Sequence, residues 1–188
     1  MPTTLIIPGL DGSTAGHWQH WWLDHDPDAT RVSFTDLGDP VPAAMEMELI
    51  SAILDHPGAI LVGHSLGAIL IARVLAKWPQ LDVGAALLVA PADPVDHPRI
   101  YRFDPISELP LGVPAIVVAS QNDPVMRLPR AKALARYWKA GFIDLGMVGH
   151  INLASGFGPW PAGLTLRDEL IGRAAVPQIG QSRSRALG

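Results

Sequence analysis

The segment at residues 60–67, Ile-Leu-Val-Gly-His-Ser-Leu-Gly, constrains the fold of this chain more than any other. Its first residues are apolar and are typical of a buried strand, and the apolar segment at residues 68–76 is typical of a buried helix. Because only a few residues separate the two, the chain must change direction within a very tight turn. We therefore predict a strand, a sharp turn and a central helix in immediate succession.

The turn itself has the pattern Gly-x-Ser-x-Gly, which is called a nucleophile elbow when it joins a strand to a helix. In an elbow, Ser65 would occupy the strained tip, and Gly63 and Gly67 would be small because neighbouring groups press against them. The tip lies at the amino end of the helix, where free N–H groups and the helix dipole favour negative charge. The alternative is an ordinary turn with a solvent-facing serine. The elbow interpretation requires an acid and a histidine later in the chain.

Segments of strand length and helix length alternate along the whole chain. We predict strands at residues 4–7, 30–34, 60–63, 84–90, 113–120 and 142–145. We predict helices at residues 17–22, 43–54, 68–76, 131–138 and 164–171, the last of them capped by Thr165. This alternation indicates an α/β protein with a mainly parallel sheet of about six strands and helices on both faces. The connection at residues 91–114 is too short for a lid domain.

Composition limits the class of protein further. The 188 residues suffice for one domain, which we place at residues 1–175, followed by a polar and disordered tail at residues 176–188. The net charge of -4 gives no electrostatic reason to expect nucleic acid or an anionic membrane as a partner. The absence of cysteine excludes disulfides and thiol catalysis. No signal peptide or spanning segment is evident, so we expect a soluble cytoplasmic protein.

The acid and the histidine that an elbow needs are both present in the expected chain order of serine, acid and histidine. Asp123 follows one predicted strand and His150 follows the last one, so both would lie at the carboxyl edge of the sheet. We predict that His150 takes the proton of Ser65 and that Asp123 orients His150. Asp93, which also follows a strand, is the alternative acid.

The other histidines fit these roles less well. His64 abuts the serine and is expected to point away from the pocket into packing, and His97 lies in the proline-rich connection. His17 and His20 precede the elbow in the chain, which is the wrong order for the base. Those two could share a helix face as metal ligands, but no third ligand is apparent nearby, so we expect no metal.

A pocket beside Ser65 would be built from the segments on either side of it. The glycine-rich loop after the first strand would bring the backbone N–H of Leu10 towards Ser65, and the N–H of Leu66 would complete an oxyanion hole. We predict that Asp11 and Trp18 contact the substrate. Leu10, Leu66 and Trp18 are expected to make the pocket wall apolar.

Four segments together resemble one family more specifically than the elbow does alone. They are Gly63-His64-Ser65-Leu66-Gly67, Asn122-Asp123-Pro124-Val125, Gly149-His150-Ile151-Asn152 and Gly158-Pro159-Trp160-Pro161-Ala162-Gly163. With them the chain is similar, over roughly residues 3–173, to the small serine-hydrolase family that includes retinoblastoma-binding protein nine. The resemblance implies a compact α/β-hydrolase fold with Ser65 as nucleophile, Asp123 as acid and His150 as base. The retinoblastoma-binding motif of the vertebrate relative depends on a cysteine, so that partner is not expected here.

These features together predict a serine hydrolase that cleaves a small ester or amide through an acyl-enzyme, without a cofactor. A thioesterase or peptidase on the same three residues is the alternative enzyme, and a non-catalytic binding protein on a hydrolase scaffold is the alternative class. The expected partner is a small-molecule substrate, and the sequence leaves the oligomeric state open.

Overall fold

The computed structural model describes residues 1–95 and 97–174, and the tail predicted at residues 176–188 lies outside them. Within the described residues, six strands form a single sheet, and every neighbouring pair in it is parallel. The strands are β1 (Thr4–Ile7), β2 (Ala29–Arg31), β3 (Ala59–His64), β4 (Val83–Val89), β5 (Ala115–Ala119) and β6 (Gly141–Asp144). Their order across the sheet is β2-β1-β3-β4-β5-β6, so the predicted parallel sheet is confirmed.

The helices pack on both faces of this sheet, as predicted. They are α1 (Trp18–His25), α2 (Pro42–Asp55), α3 (Leu66–Lys77), α4 (Leu128–Tyr137) and α5 (Pro161–Ala174). Helices α2, α3 and α4 contribute to one buried apolar cluster, and α1 and α5 contribute to the other. Alternate residues of the central strands supply the two clusters: Leu61 packs with the first, and Ile60 and Val62 pack with the second.

Several predicted boundaries differ from the structure by one to three residues, and two of these differences affect a specific prediction. The second strand ends at Arg31 rather than at residue 34, although the N–H of Val32 still donates to the carbonyl of Ile6 at 2.9 Å. The last helix begins at Pro161, so Thr165 lies inside it and the prediction that Thr165 caps it is wrong. Proline has a fixed φ and no N–H, which suits the first turn of a helix. Pro161 therefore sets the start of this helix, and the capping preference of Thr165 does not.

The connection between β4 and β5 carries no domain of its own in the part of the chain that the structure describes. Its only regular element there is a single 3₁₀ turn, Tyr101–Phe103. Ile100, Phe103 and Ile106 are buried against the α3 side of the sheet. The expectation that a lid domain is absent therefore holds for the described residues. No described helix is long and apolar enough to cross a membrane.

The turn between β3 and α3 has the geometry of a nucleophile elbow. Ser65 has φ 55° and ψ -116°, which is a strained backbone conformation for a residue with a side chain. A Cβ added at Gly63 would lie 2.7 Å from the backbone nitrogen of Ala68. A Cβ added at Gly67 would meet the carbonyl oxygens of Ile7 and Pro8. The first turn of α3 therefore packs directly against the end of β1, and only glycine permits this approach.

We predict that Gly67→Ala lowers the free energy of unfolding by about 1 to 3 kcal/mol, because the added methyl group meets backbone oxygens that cannot move aside. The matched control is Gly172→Ala in α5, where an added methyl meets nothing within 4 Å. That change should raise the free energy of unfolding by about 0.5 to 1 kcal/mol. Urea unfolding of both variants tests the close approach, and equal effects of the two changes would contradict it.

Candidate active site

Three side chains that are distant in the sequence meet at the carboxyl edge of the sheet. Ser65 follows β3, Asp123 follows β5 and His150 follows β6. The Nε2 atom of His150 lies 2.8 Å from the Oγ of Ser65. The Nδ1 atom of His150 lies 2.9 Å from each carboxylate oxygen of Asp123. The structure thus brings the three predicted residues into one continuous hydrogen-bonded chain.

The hydrogen-bond partners of His150 determine which of its ring nitrogens carries the proton. A carboxylate only accepts, so Nδ1–H of His150 donates to Asp123, and Nε2 accepts from the Ser65 hydroxyl. The side chains of Asp123 and His150 are 3% and 10% exposed, so little water competes for these bonds. The N–H of Val125 also donates to Asp123 at 2.8 Å, which orients the carboxylate. Chemically, this arrangement can move the hydroxyl proton onto the imidazole as Ser65 attacks an electrophile.

The alternative acid does not reach the histidine. Asp93 instead accepts a hydrogen bond from the N–H of Val95 within its own turn, at 3.2 Å. Among the described residues, no group of three or more His, Asp or Glu side chains could hold a metal ion.

The two backbone N–H groups predicted to form an oxyanion hole have no protein acceptor within the described residues. Leu66 begins α3, where the first N–H groups of a helix have no intrahelical partner. Leu10 lies in the loop after β1, and the preceding residue, Gly9, is so close that a Cβ there would lie 3.1 Å from the Cβ of Ser65. The oxyanion role of both groups stays a prediction.

A buried glutamine in α1 fixes the glycine-rich loop, and the sequence analysis did not identify it. The side-chain amide of Gln19 donates to the carbonyls of Ile7 and Val62, at 3.0 and 3.3 Å. The Ser13 hydroxyl donates to the Gln19 carbonyl oxygen at 2.5 Å. Gln19 therefore ties the loop to the ends of β1 and β3. The sequence feature that could have identified Gln19 is that it is a polar residue within the tryptophan-rich helix.

A cavity of about 360 Å³ opens beside Ser65. The residues that line it are Gly9, Leu10, Gly12, Thr14, His17, His64, Ser65, His97, Val125, His150, Asn152, Leu153 and Ala154. Leu10 contributes to this wall as expected, whereas Leu66 is completely buried and does not. The cavity is therefore more polar than the apolar pocket that the sequence predicted.

The prediction that Trp18 contacts substrate is wrong. Its side chain is 0% exposed and does not line the cavity, because it packs under the site against Trp22 and Trp160. Its indole N–H donates to the carbonyl of Ile151 at 3.0 Å. Trp18 thus supports the loop that carries the histidine.

His64 supports the same loop from the other side. It lines the cavity but is largely buried, and its Nε2–H donates to the carbonyl of His150 at 2.9 Å. The expectation that His64 points into packing was thus only partly correct. His64 and Trp18 hold two successive carbonyls of the histidine loop, so both act on the position of the His150 ring.

Asp11 also has a different position from the one predicted. Its carboxylate is 61% exposed, binds the guanidinium of Arg99 at 2.7 and 2.8 Å, and does not line the cavity. Arg99 donates in addition to the carbonyl of Gly38 at 2.8 Å. The predicted substrate contact of Asp11 is therefore replaced by an ion pair that joins the glycine-rich loop to the β4–β5 connection.

The two histidines behind Ser65 are held in the neutral form. Burial lowers the pKa of His17 to about 4, and the charge of Arg31 adds to the effect. Burial also holds the pKa of His64 well below its usual range, with His150 and His17 contributing. The ring centroids of His64 and His150 lie 5.0 Å apart. Because His64 is neutral, it adds no positive charge beside the imidazolium that forms at His150 when Ser65 gives up its proton.

The fold and this site define the class of protein as a serine hydrolase with the α/β-hydrolase fold. The sequence model of the serine hydrolase family matches residues 4–169, and the chain belongs to that family. The resemblance inferred from the four sequence segments is thereby confirmed.

Two solved structures are similar to this chain; the first supports the family assignment, and the second shows the same fold. A YdeN-like hydrolase from Pectobacterium atrosepticum is 32% identical, with 93% of this chain and 92% of that chain covered and a TM-score of 0.84. The ydeN gene product from B. subtilis is 21% identical, with 92% of this chain and 100% of that chain covered and a TM-score of 0.71.

A curated relative matches part of the chain. Phytyl ester synthase 2, chloroplastic, from Arabidopsis thaliana is 28% identical over 129 residues, which is 62% of this chain. The match spans only 18% of the length of that protein.

We predict that His17 makes the protein less stable in mild acid. Because folding lowers its pKa from 6.5 to about 4, the unfolded chain binds the proton first as the pH falls. The contribution of neutral His17 is thus fully present above pH 6.5 and is lost as the pH falls towards 4. His17→Ser, whose hydroxyl oxygen can replace the Nδ1 of His17 as the acceptor that caps the helix, should lose less stability than wild type across this window. Urea unfolding at a series of pH values measures the difference, and parallel curves for the two proteins would contradict the assignment.

Proposed function

We propose that this protein is a carboxylesterase-like serine hydrolase that cleaves a small ester through an acyl-enzyme on Ser65. One observation carries the proposal: Ser65, His150 and Asp123 form a hydrogen-bonded chain with contacts of 2.8 and 2.9 Å at the mouth of a cavity. A strained elbow, a buried acid and a histidine in the matching tautomer are needed together only if the hydroxyl must act as a nucleophile.

In the first half of the reaction, the Oγ of Ser65 attacks the ester carbonyl carbon while His150 Nε2 takes the hydroxyl proton. Asp123 stabilises the resulting imidazolium. The N–H groups of Leu66 and Leu10 would donate to the oxyanion, and losing one such donor typically costs about 3 kcal/mol in the transition state. When the tetrahedral intermediate collapses, the alcohol leaves with the proton from His150.

In the second half, a water molecule replaces the alcohol. His150 takes a proton from this water as its oxygen attacks the acyl carbon, and the proton then returns to Ser65 as the carboxylic acid leaves. The net reaction consumes one ester and one water and yields one acid and one alcohol. Every proton transfer in both halves passes through the Nε2 atom of His150.

The size of the cavity supports a small substrate, and the name of one relative supports an ester. A volume of about 360 Å³ lies at the small end of the range of ligand pockets. The relative from Arabidopsis thaliana is a phytyl ester synthase. A thioester or an amide would meet the same nucleophile, so matched esters, thioesters and amides of one short acyl chain distinguish the three activities.

A fluorophosphonate probe tests the nucleophile directly. The wild-type protein should be labelled on Ser65, because the probe traps an activated serine hydroxyl. Ser65→Ala should take up no label, and turnover of a short-chain ester should fall by about a millionfold. A folded wild-type protein that neither takes up the label nor hydrolyses any compound in the panel would point to a binding protein instead.

The choice of acid is tested with a matched pair of carboxylate-to-amide changes. Asp123→Asn should lower turnover by about ten-thousandfold, because the amide no longer holds His150 in the required tautomer. Asp93→Asn alters a carboxylate whose one side-chain hydrogen bond among the described residues lies within its own turn, so this change should leave turnover close to wild type. The assignment fails if Asp93→Asn is the more damaging change, as measured by ester hydrolysis at constant pH.

A further inference from the structure

Two of the side chains that line the cavity beside Ser65 carry N–H donors for which the described residues supply no acceptor. They belong to His17, at the start of α1, and to Asn152, which follows His150. Both residues line the cavity, and neither takes part in the proton transfer proposed above. What they can bind depends on which of their atoms remain free.

The free atom of His17 is Nε2. Its Nδ1 accepts a hydrogen bond from the N–H of Gln19 at 3.1 Å, as the cap of α1. In a neutral imidazole the other nitrogen then carries the proton, so Nε2–H is a donor. Among the described residues this atom has no hydrogen-bond partner, and it is not buried. His17 therefore offers one donor to the cavity.

The free atom of Asn152 is the amide nitrogen. Its Oδ1 accepts from the N–H and the hydroxyl of Ser155, at 3.0 and 2.8 Å. A backbone N–H can only donate, so the oxygen of the amide must face Ser155 and Nδ2 must face away. Within the described part of the chain, Nδ2 has no partner and is not buried, so Asn152 offers two further N–H donors.

The lack of charged side chains among the described lining residues limits the class of ligand further. None of the described residues that line the cavity is Asp, Glu, Lys or Arg. Among those described lining residues, an ammonium group on the substrate would find no carboxylate, whereas a neutral acceptor oxygen would find N–H donors. The aliphatic side chains of Leu10, Val125 and Leu153 complete the wall and suit a hydrocarbon portion.

We propose that the preferred substrates are esters with a second acceptor oxygen, carbonyl or ether, which binds to His17 Nε2–H and Asn152 Nδ2–H while Ser65 attacks the scissile carbonyl. This proposal rests on the proposed ester hydrolysis and specifies its substrate class. His17 and Asn152 are thus specificity-determining residues.

Matched pairs of esters test the proposal with the wild-type protein. The first pair is p-nitrophenyl levulinate and p-nitrophenyl isocaproate, which differ by a ketone oxygen in place of a methyl group on the acyl side. The second pair is methoxyethyl acetate and butyl acetate, which differ by an ether oxygen on the alcohol side. We expect kcat/KM to favour the oxygen-bearing ester in at least one pair by about fivefold or more, as one neutral hydrogen bond allows.

Two variants then assign the preference to the named donors. Asn152→Asp keeps the oxygen that binds Ser155 but replaces the amide donors with a carboxylate oxygen. His17→Ser keeps a cap for α1 but removes the ring N–H. Each should lower the ratio of the two kcat/KM values towards one, a readout that a general loss of folding would not change. His25→Ser, at an exposed position of the same helix, should keep the wild-type ratio.

Each outcome has one meaning. A preference for the oxygen-bearing ester that both cavity variants reduce supports the proposal. Hydrolysis of all the esters without a preference in either pair, or with a preference that neither variant alters, overturns it and leaves the ester hydrolase intact. A wild-type protein that hydrolyses none of the esters and takes up no fluorophosphonate overturns the proposed function itself.

Discussion

The close approach of α3 to the end of β1 is the contact on which the rest of the site depends. At Gly67 the helix packs against the carbonyl oxygens of Ile7 and Pro8 with no room for a methyl group. This contact places the first turn of the helix beside the glycine-rich loop, so that the N–H groups of Leu10 and Leu66 can face the same region as Ser65. The strain at Ser65, with φ 55°, is maintained because the surrounding packing leaves the turn no alternative path.

The fold and the three central residues could be predicted because local patterns specify them. Alternating apolar segments gave the parallel sheet, and the position of Asp123 and His150 just after strands placed them at one edge with Ser65. The directions in which side chains point were harder to predict, because they depend on contacts between segments that are distant in the sequence. Trp18 precedes the elbow and is aromatic, which suggested a pocket wall, yet Trp160, at the start of a segment far along the chain, covers it. Asp11 follows Leu10 in the loop, but its orientation is set by Arg99, which no local pattern connects to it.

The cavity shows how one cluster of similar side chains can serve different purposes. His17, His64 and His150 lie ring to ring, with centroids 4.9 and 5.0 Å apart. Each ring is distinguished by what its nitrogens meet: a helix N–H for His17, a loop carbonyl for His64, and a carboxylate and a hydroxyl for His150. The partners, rather than the residue type, therefore decide which histidine can accept the proton of Ser65.

The bond from His64 to the carbonyl of His150 has a mechanical consequence. His64 is covalently joined to Ser65, so a single imidazole couples the nucleophile to the backbone of its proton acceptor, 85 residues away in the chain. If the histidine loop swung outward, it would have to break its hydrogen bond to His64 in the elbow. The hydroxyl of Ser65 and the imidazole of His150 should therefore stay in register when a ligand enters the cavity.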